Sequence, residues 1–262
     1  MDENISSRNI IVIGANGGIG LEIAKTFLNE NANVILPYHS KRQNIDDLIK
    51  IYGEGRVNSY SLDLKNLESI DQFVEVVKQQ FEAIDVLINN AGISRPAPLE
   101  ELKSEKWNEV MDTNVRGPFF LSQKILPLMK KAGGGSIVNI SSMSGHEAYP
   151  GMGAYSTSKA GLIMLTKQMA FEWADYNIRV NAISPGLIRT PLTEDMYQNE
   201  AIHQQRKSLI SLKRIGTGED IANIVSFLCS PKSAYITGQS ILADGGLIGT
   251  IQKHIAGRPE SK

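Results

Sequence analysis

Residues 9–13 form a short apolar, largely β-branched run, Asn-Ile-Ile-Val-Ile, which leads straight into Gly14-Ala15-Asn16-Gly17-Gly18-Ile19-Gly20 and then into 21–28. β-Branched residues favour a strand. Beyond the glycines, Ile19, Ile23 and Phe27, with Leu28 beside them, keep helical spacing. Strand, glycine turn and helix in that order demand a chain that reverses tightly and packs the helix back on the strand, the opening unit of an α/β fold. Glycines in such a turn let the backbone approach a pyrophosphate, whose charge is favoured by the free N–H groups at the helix N-terminus. The spacing is Gly-x-x-x-Gly-x-Gly rather than Gly-x-Gly-x-x-Gly. A turn with no ligand is the alternative.

The same alternation continues. Strand candidates at 9–13, 33–36, 57–61, 85–88, 136–140, 178–183 and 240–242 are separated by longer helical patterns. They predict an α/β fold of the Rossmann type: one doubly wound parallel sheet of about seven strands with helices on both faces. At 262 residues with no Pro/Ser/Gly-rich linker, the expectation is a single domain, 1–262, with a core over 8–246 and a tail at 247–262. Internal repeats and low-complexity tracts are absent from the sequence.

A formal net charge of −1 offers nucleic acid no global attraction, and Lys124, Lys130 and Lys131 read as helix surface. The single cysteine, Cys229, excludes an internal disulfide framework and reads as core. His39, His146, His203 and His254 are scattered, so no metal site is expected. Lacking an 18-residue apolar stretch or a signal-like N-terminus, the chain is expected to be cytoplasmic, with no membrane partner.

After the second strand candidate come Pro37-Tyr38-His39-Ser40-Lys41-Arg42, and no acidic residue occurs between Asn31 and Asn44. An acidic residue in this region serves the ribose hydroxyls of NAD, whereas a basic one accommodates the 2′-phosphate of NADP. Ser40, Lys41 and Arg42 therefore favour NADP(H), with Tyr38 and His39 as adenine neighbours. A solvated charged loop is the bland alternative.

Tyr155 and Lys159 stand four residues apart, which on a helix puts phenol and ammonium on one face. A nearby cation makes the ionised phenol more accessible, the requirement for a general acid/base acting on an alcohol oxygen. Alone, the spacing is weak evidence.

With these residues assembled, the chain resembles the short-chain dehydrogenase/reductase family from about residue 8 to 246. The likeness is carried by the glycine turn (Gly14, Asn16, Gly17, Gly18, Ile19, Gly20), by Asp63-Leu64, by Asn89-Asn90-Ala91-Gly92, by Asn114, by Ser142 thirteen residues before Tyr155, and by Pro185-Gly186 followed by Ile188 and Thr190. It implies a catalytic set of Asn114, Ser142, Tyr155 and Lys159. Asp63 and Leu64 would meet adenine, Asn90, Ala91 and Gly92 would line the cofactor, and Pro185, Gly186, Ile188 and Thr190 would close over the nicotinamide. Between Ser141 and Ser142, spacing alone decides. Two departures stand out: Ile13 replaces a threonine, and Gly17 stands where NADP-preferring members often carry a basic residue, which leaves NAD(H) or dual use open.

The activity implied is hydride transfer between NADP(H) and a small-molecule carbonyl or secondary alcohol, with a 3-oxoacyl-type ketone favoured. A sugar or other alcohol dehydrogenase, a catalytically silent nucleotide sensor and a nucleotide-sugar epimerase are the alternatives. Substrate walls are expected from 94–98, from 143–152 (Met143, Tyr149 and Met152 apolar, His146 and Glu147 polar) and from a helical lid over 187–211 that includes Met196. The resemblance also implies a homotetramer packed through long helices over 108–131 and 153–176. Leu162, Leu165, Met169 and Phe171 would then be divided between core and interface.

Overall fold

In the computed structural model, which describes residues 8–191 and 193–249, the run 9–13 is strand β1 (Asn9–Ile13). Ile10 and Val12 enter one hydrophobic cluster and Ile11 and Ile13 another. Successive side chains of a strand point to opposite faces, so a run with no polar break is what a strand covered on both sides requires. Helix α1 (Gly18–Asn29) follows, then β2 (Asn33–Ile35), α2 (Gln43–Tyr52), β3 (Val57–Asn58), α3 (Leu67–Gln80) and β4 (Val86–Asn89). The chain continues through α4 (Ser104–Met111), α5 (Gly117–Lys131), β5 (Gly135–Ile140), α6 (Tyr155–Glu172) and β6 (Ile178–Pro185). It ends with β7 (Ile188–Arg189), α7 (Glu194–Gln198), α8 (Glu200–Leu209), β8 (Gly216–Thr217), α9 (Gly218–Cys229) and β9 (Ser240–Ala243).

Seven strands pair in parallel in the order β3-β2-β1-β4-β5-β6-β9. Ile23 and Phe27 of α1, Ile45 and Leu48 of α2, and Ile221 and Val225 of α9 cover one face. Phe73 and Val74 of α3, Leu121 and Ile125 of α5, and Met169 of α6 cover the other. This is the doubly wound Rossmann architecture. Cys229 lies in the first cluster, where burial pushes its thiol up to about 12. Among the described residues, no helix is long and apolar enough to cross a membrane, and no group of three His, Cys, Asp or Glu could hold a metal.

Several boundaries differ from expectation. The third strand was expected over 57–61, but regular pairing covers only β3; the rest follows as single backbone bonds and a bridge between Tyr38 and Ser61. The stretch 108–131 is not one helix. A π-helical turn, Asp112–Arg116, stands between α4 and α5, and Gly117, the first residue of α5, lies so close to the Leu64 carbonyl that a Cβ there would be 2.4 Å from it. Likewise α6 starts at Tyr155, after Gly153 at φ +56°, and a 3₁₀ turn (Ala174–Tyr176) follows it and ends at left-handed Asn177. A two-stranded pair, β7 with β8, was not anticipated, both members being only two residues long. The tail beyond 249, with His254, lies outside the described residues.

Candidate active site

β1 is flanked by β2 on one side and β4 on the other, the point where strand order reverses and where open α/β sheets hold ligands beyond their carboxyl ends. Asn90, just past β4, donates from Nδ2 to the carbonyls of Ile13 and Gly14, each at 3.1 Å, tying the two loops together. The glycines then divide by task. A Cβ on Gly20 would stand 2.3 Å from the Gly14 carbonyl oxygen and 2.5 Å from Asn90 Nδ2, so this glycine permits packing. Gly17, before the first turn of α1, faces nothing within 4 Å and leaves the helix N-terminus accessible. Gly18 takes φ +54° and brings Thr190 to within 3.4 Å of where its Cβ would be. Asn16 is clamped to α2: its Oδ1 accepts the Asn44 N–H at 3.2 Å, and its carbonyl accepts from Asn44 Nδ2 at 2.7 Å.

A cavity of about 600 Å³ opens over this switch point. Gly14, Asn16, Tyr38, Ser40, Lys41, Asp63, Leu64, Asn90, Ala91 and Gly92 all reach it, as does His39. Not among its lining residues are Gly17, Gly18, Ile19, Gly20, Arg42, Pro185, Gly186, Ile188 and Thr190. Arg42 is bonded to Asp46 (Nε to Oδ1, 2.7 Å) and lies over the Tyr38 ring. Ile188 packs in the first core cluster, and Gly186 presses on Asp244. Asn89 is a structural tie: its buried Nδ2 donates to Ser122 Oγ and Asn139 Oδ1. Sequence reasoning placed Arg95 within the 94–98 wall but missed Lys65, Ile93, Glu109 and Thr113 on the cavity wall, none of which belongs to a periodic or glycine-marked pattern.

Beside Gly92 lies the polar cluster that ends β5 and begins α6. A Cβ on Gly92 would be 3.1 Å from Lys159 Nζ and 3.3 Å from Asn114 Oδ1, so cavity and cluster are separated by one glycine. Lys159 is wholly buried, donates to the Ile140 carbonyl at 2.8 Å, and is pushed down to about 8 by desolvation. Tyr155 is the first residue of α6, with Lys159 Nζ 5.7 Å from its ring centroid. Burial raises the Tyr155 phenol, and a hydrogen bond with Ser142 opposes that rise. In the protein alone, burial therefore outweighs the lowering that the sequence predicts from Lys159. The two serines separate cleanly: Ser141 Oγ donates to the Lys159 carbonyl at 2.9 Å, whereas Ser142 faces Tyr155 and accepts the Ser144 N–H at 3.1 Å.

Asn114 is fully buried in the π turn, a distortion frequent at functional sites. Its Oδ1 accepts the Ile93 N–H at 2.8 Å, while its Nδ2 donates to the Ile93 carbonyl and to Ser158 Oγ. His146 Nε2 meets Ser184 Oγ at 3.0 Å and Ser240 Oγ at 3.1 Å, which commits it to β6 and β9. The 187–211 segment carries α7 and α8.

A Rossmann sheet with a glycine turn at its switch point and a serine, tyrosine and buried lysine beside it defines an oxidoreductase acting on CH–OH groups. Residues 14–248 match a family model described as enoyl-(acyl carrier protein) reductase. The chain is 43% identical over 240 residues to 3-oxoacyl-[acyl-carrier-protein] reductase FabG of Thermotoga maritima, covering 91% of this chain and 96% of that one. It is 35% identical to dehydrogenase/reductase SDR family member 4 of Bos taurus, covering 92% and 88%. Among solved structures, 4-hydroxyisoleucine dehydrogenase complexed with NADH superposes with a TM-score of 0.86 at 37% identity, covering 92% of this chain and 99% of that one. The chain belongs to the short-chain dehydrogenase/reductase family.

Proposed function

We propose that the protein is an NADP(H)-dependent reductase of a 3-oxoacyl-type ketone, with Tyr155 as general acid/base. The observation that carries this reading is the Ser142–Tyr155 hydroxyl pair set against buried Lys159, one glycine away from the cavity. The clearances fit a dinucleotide: Gly17 leaves the start of α1 open, and Ser40 and Lys41 line the cavity with no acidic residue between Asn31 and Asn44. When bound, the nicotinamide supplies hydride exchange at the substrate carbon. Tyr155 hands its phenolic proton to the carbonyl oxygen, and Ser142 donates a hydrogen bond to the same oxygen as charge develops. Lys159 favours the phenolate left behind and binds the nicotinamide ribose. Asn114 keeps one Oδ1 lone pair for a water that resupplies the proton. The names of the FabG relatives favour the ketone substrate, and a homotetramer belongs to the same reading.

A second reading, an NAD(H)-using secondary-alcohol dehydrogenase, is favoured by the engagement of Arg42 with Asp46 and by the NADH-bound neighbour. Separate titrations of NADPH and NADH against wild type and Lys41→Ala decide between them. The first reading expects NADPH to bind tighter and to lose about tenfold or more in the variant, the scale of one charge-assisted hydrogen bond. Equal affinities unchanged by Lys41→Ala favour the second. For the chemistry itself, Tyr155→Phe is expected to abolish ketone-dependent oxidation of the reduced cofactor while its binding, followed by fluorescence, persists. Wild-type turnover by Tyr155→Phe removes Tyr155 from the mechanism.

A further inference from the structure

Arg95, in the loop between β4 and α4, takes no part in the proton transfer above, yet it is among the most firmly oriented side chains near it. Its guanidinium meets Glu109 of α4 through two parallel bonds, Nε to Oε2 at 2.9 Å and Nη2 to Oε1 at 2.8 Å, while Nη1 donates to the Ser94 carbonyl at 3.0 Å. Both side chains line the cavity beside Asn90 to Ile93. The loop is held elsewhere too. Asn114 occupies both backbone groups of Ile93. Ala97 forms a parallel bridge with Met152, and its carbonyl accepts the Gly153 N–H at 3.1 Å. Gly153, at φ +56°, lies so close that a Cβ would be 2.8 Å from the Arg95 carbonyl oxygen. The next hydrogen bond, Tyr155 N–H to the Met152 carbonyl at 3.1 Å, starts α6.

We propose that the Arg95–Glu109 pair is a positioning device for Tyr155: it fixes the 93–97 loop on α4, and that loop in turn seats the 152–153 turn that sets the phenol opposite Ser142. The inference rests on the reading of Tyr155 as proton donor. With side chains 38% and 23% exposed, the pair is partly screened and adds little to stability. Its two-point geometry nevertheless fixes orientation, and a displacement of about 1 Å at a reacting group costs up to roughly 100-fold in rate.

The test compares wild type, Arg95→Ala, Arg95→Lys, Glu109→Gln and the Arg95→Ala/Glu109→Gln double variant, with one neutral and one carboxylate-bearing ketone. Cofactor affinity by nicotinamide fluorescence and melting temperature are read alongside. Each single loss of the pair is expected to lower kcat about tenfold with both ketones, leaving KM and cofactor affinity within about twofold, with the double variant no worse than either single. Arg95→Lys, with its charge but no fork, is expected to recover only part. A KM rise confined to the carboxylate-bearing ketone in Arg95→Ala, with Glu109→Gln unaffected, would make Arg95 a substrate contact and overturn the proposal. Unchanged kcat throughout overturns it as well, as do losses that multiply in the double variant or follow a fall in melting temperature. If Tyr155→Phe turns over like wild type in the same assay, the reading of the site itself has failed, a result separable from any outcome at Arg95.

Discussion

Lys159 keeps an ammonium where water cannot reach it, and that single fact sets the pH behaviour expected of the site. Desolvation lowers its pKa to about 8 from 10.5, so the neutral amine grows in above about pH 8. For this group the native state holds its proton less tightly than the unfolded chain. The resulting penalty on stability is fully present below about 8 and fades as pH rises toward 10.5. Catalysis moves the other way, since the phenolate of Tyr155 loses its partner charge. Reduction of a ketone should show kcat/KM falling along a one-proton limb above about pH 8. In Lys159→Arg, whose charge does not titrate in this range, residual activity should lack that limb; an unmoved limb would assign it to another group. The Tyr155–Lys159 relation was legible in the sequence because one helical turn joins the two residues. Arg95 and Glu109, fourteen positions apart on a loop and a helix, share no local period.

Helix α9 shows how an element far from the chemistry holds the cofactor side together. Thr217 and Asp220 form a reciprocal capping box at its start, and Arg214 grips the Asp220 carboxylate through two bonds of 2.6 and 2.7 Å. The next residue after the cap, Gly218, presses on Glu22 of α1, the helix that leads out of the glycine turn. Asp220→Ala removes the carboxylate half of the capping box and leaves the Thr217 half in place, and should cost about 1 kcal/mol in urea unfolding at neutral pH. Arg214 first, then the Thr217 bonds, hold the Asp220 carboxyl down at about 2 from 3.8. Its contribution is present above the unfolded value and is lost as pH falls through about 2, so the gap between wild type and variant should close in acid. A gap that persists at low pH would mean that the charge of Asp220 is not what matters. Caps are readable where the side chain is local: Asn66 stands just before α3, and its Oδ1 accepts the Glu68 N–H at 2.9 Å. The π turn within 108–131 is not, because no periodic or glycine-marked pattern in that stretch announces it.

Across the whole molecule, local periodicity determined the alternation of strands and helices, the parallel sheet and the glycine turn. One helical turn marked out Tyr155 and Lys159 as a pair, and the family resemblance added Ser142 to them. These signals survive in a bare sequence because a strand's two faces, a helical turn and a glycine's freedom are properties of neighbouring residues. Tertiary structure decided what depends on distant groups meeting and on water leaving. It turned Ser142 rather than Ser141 toward Tyr155, joined Arg95 to Glu109 and lowered Lys159. It also split Leu162 and Met169, buried in α6, from Phe171, 74% exposed on the same helix. Hydrogen bonding and desolvation act through space, and only the folded chain specifies which residues share it.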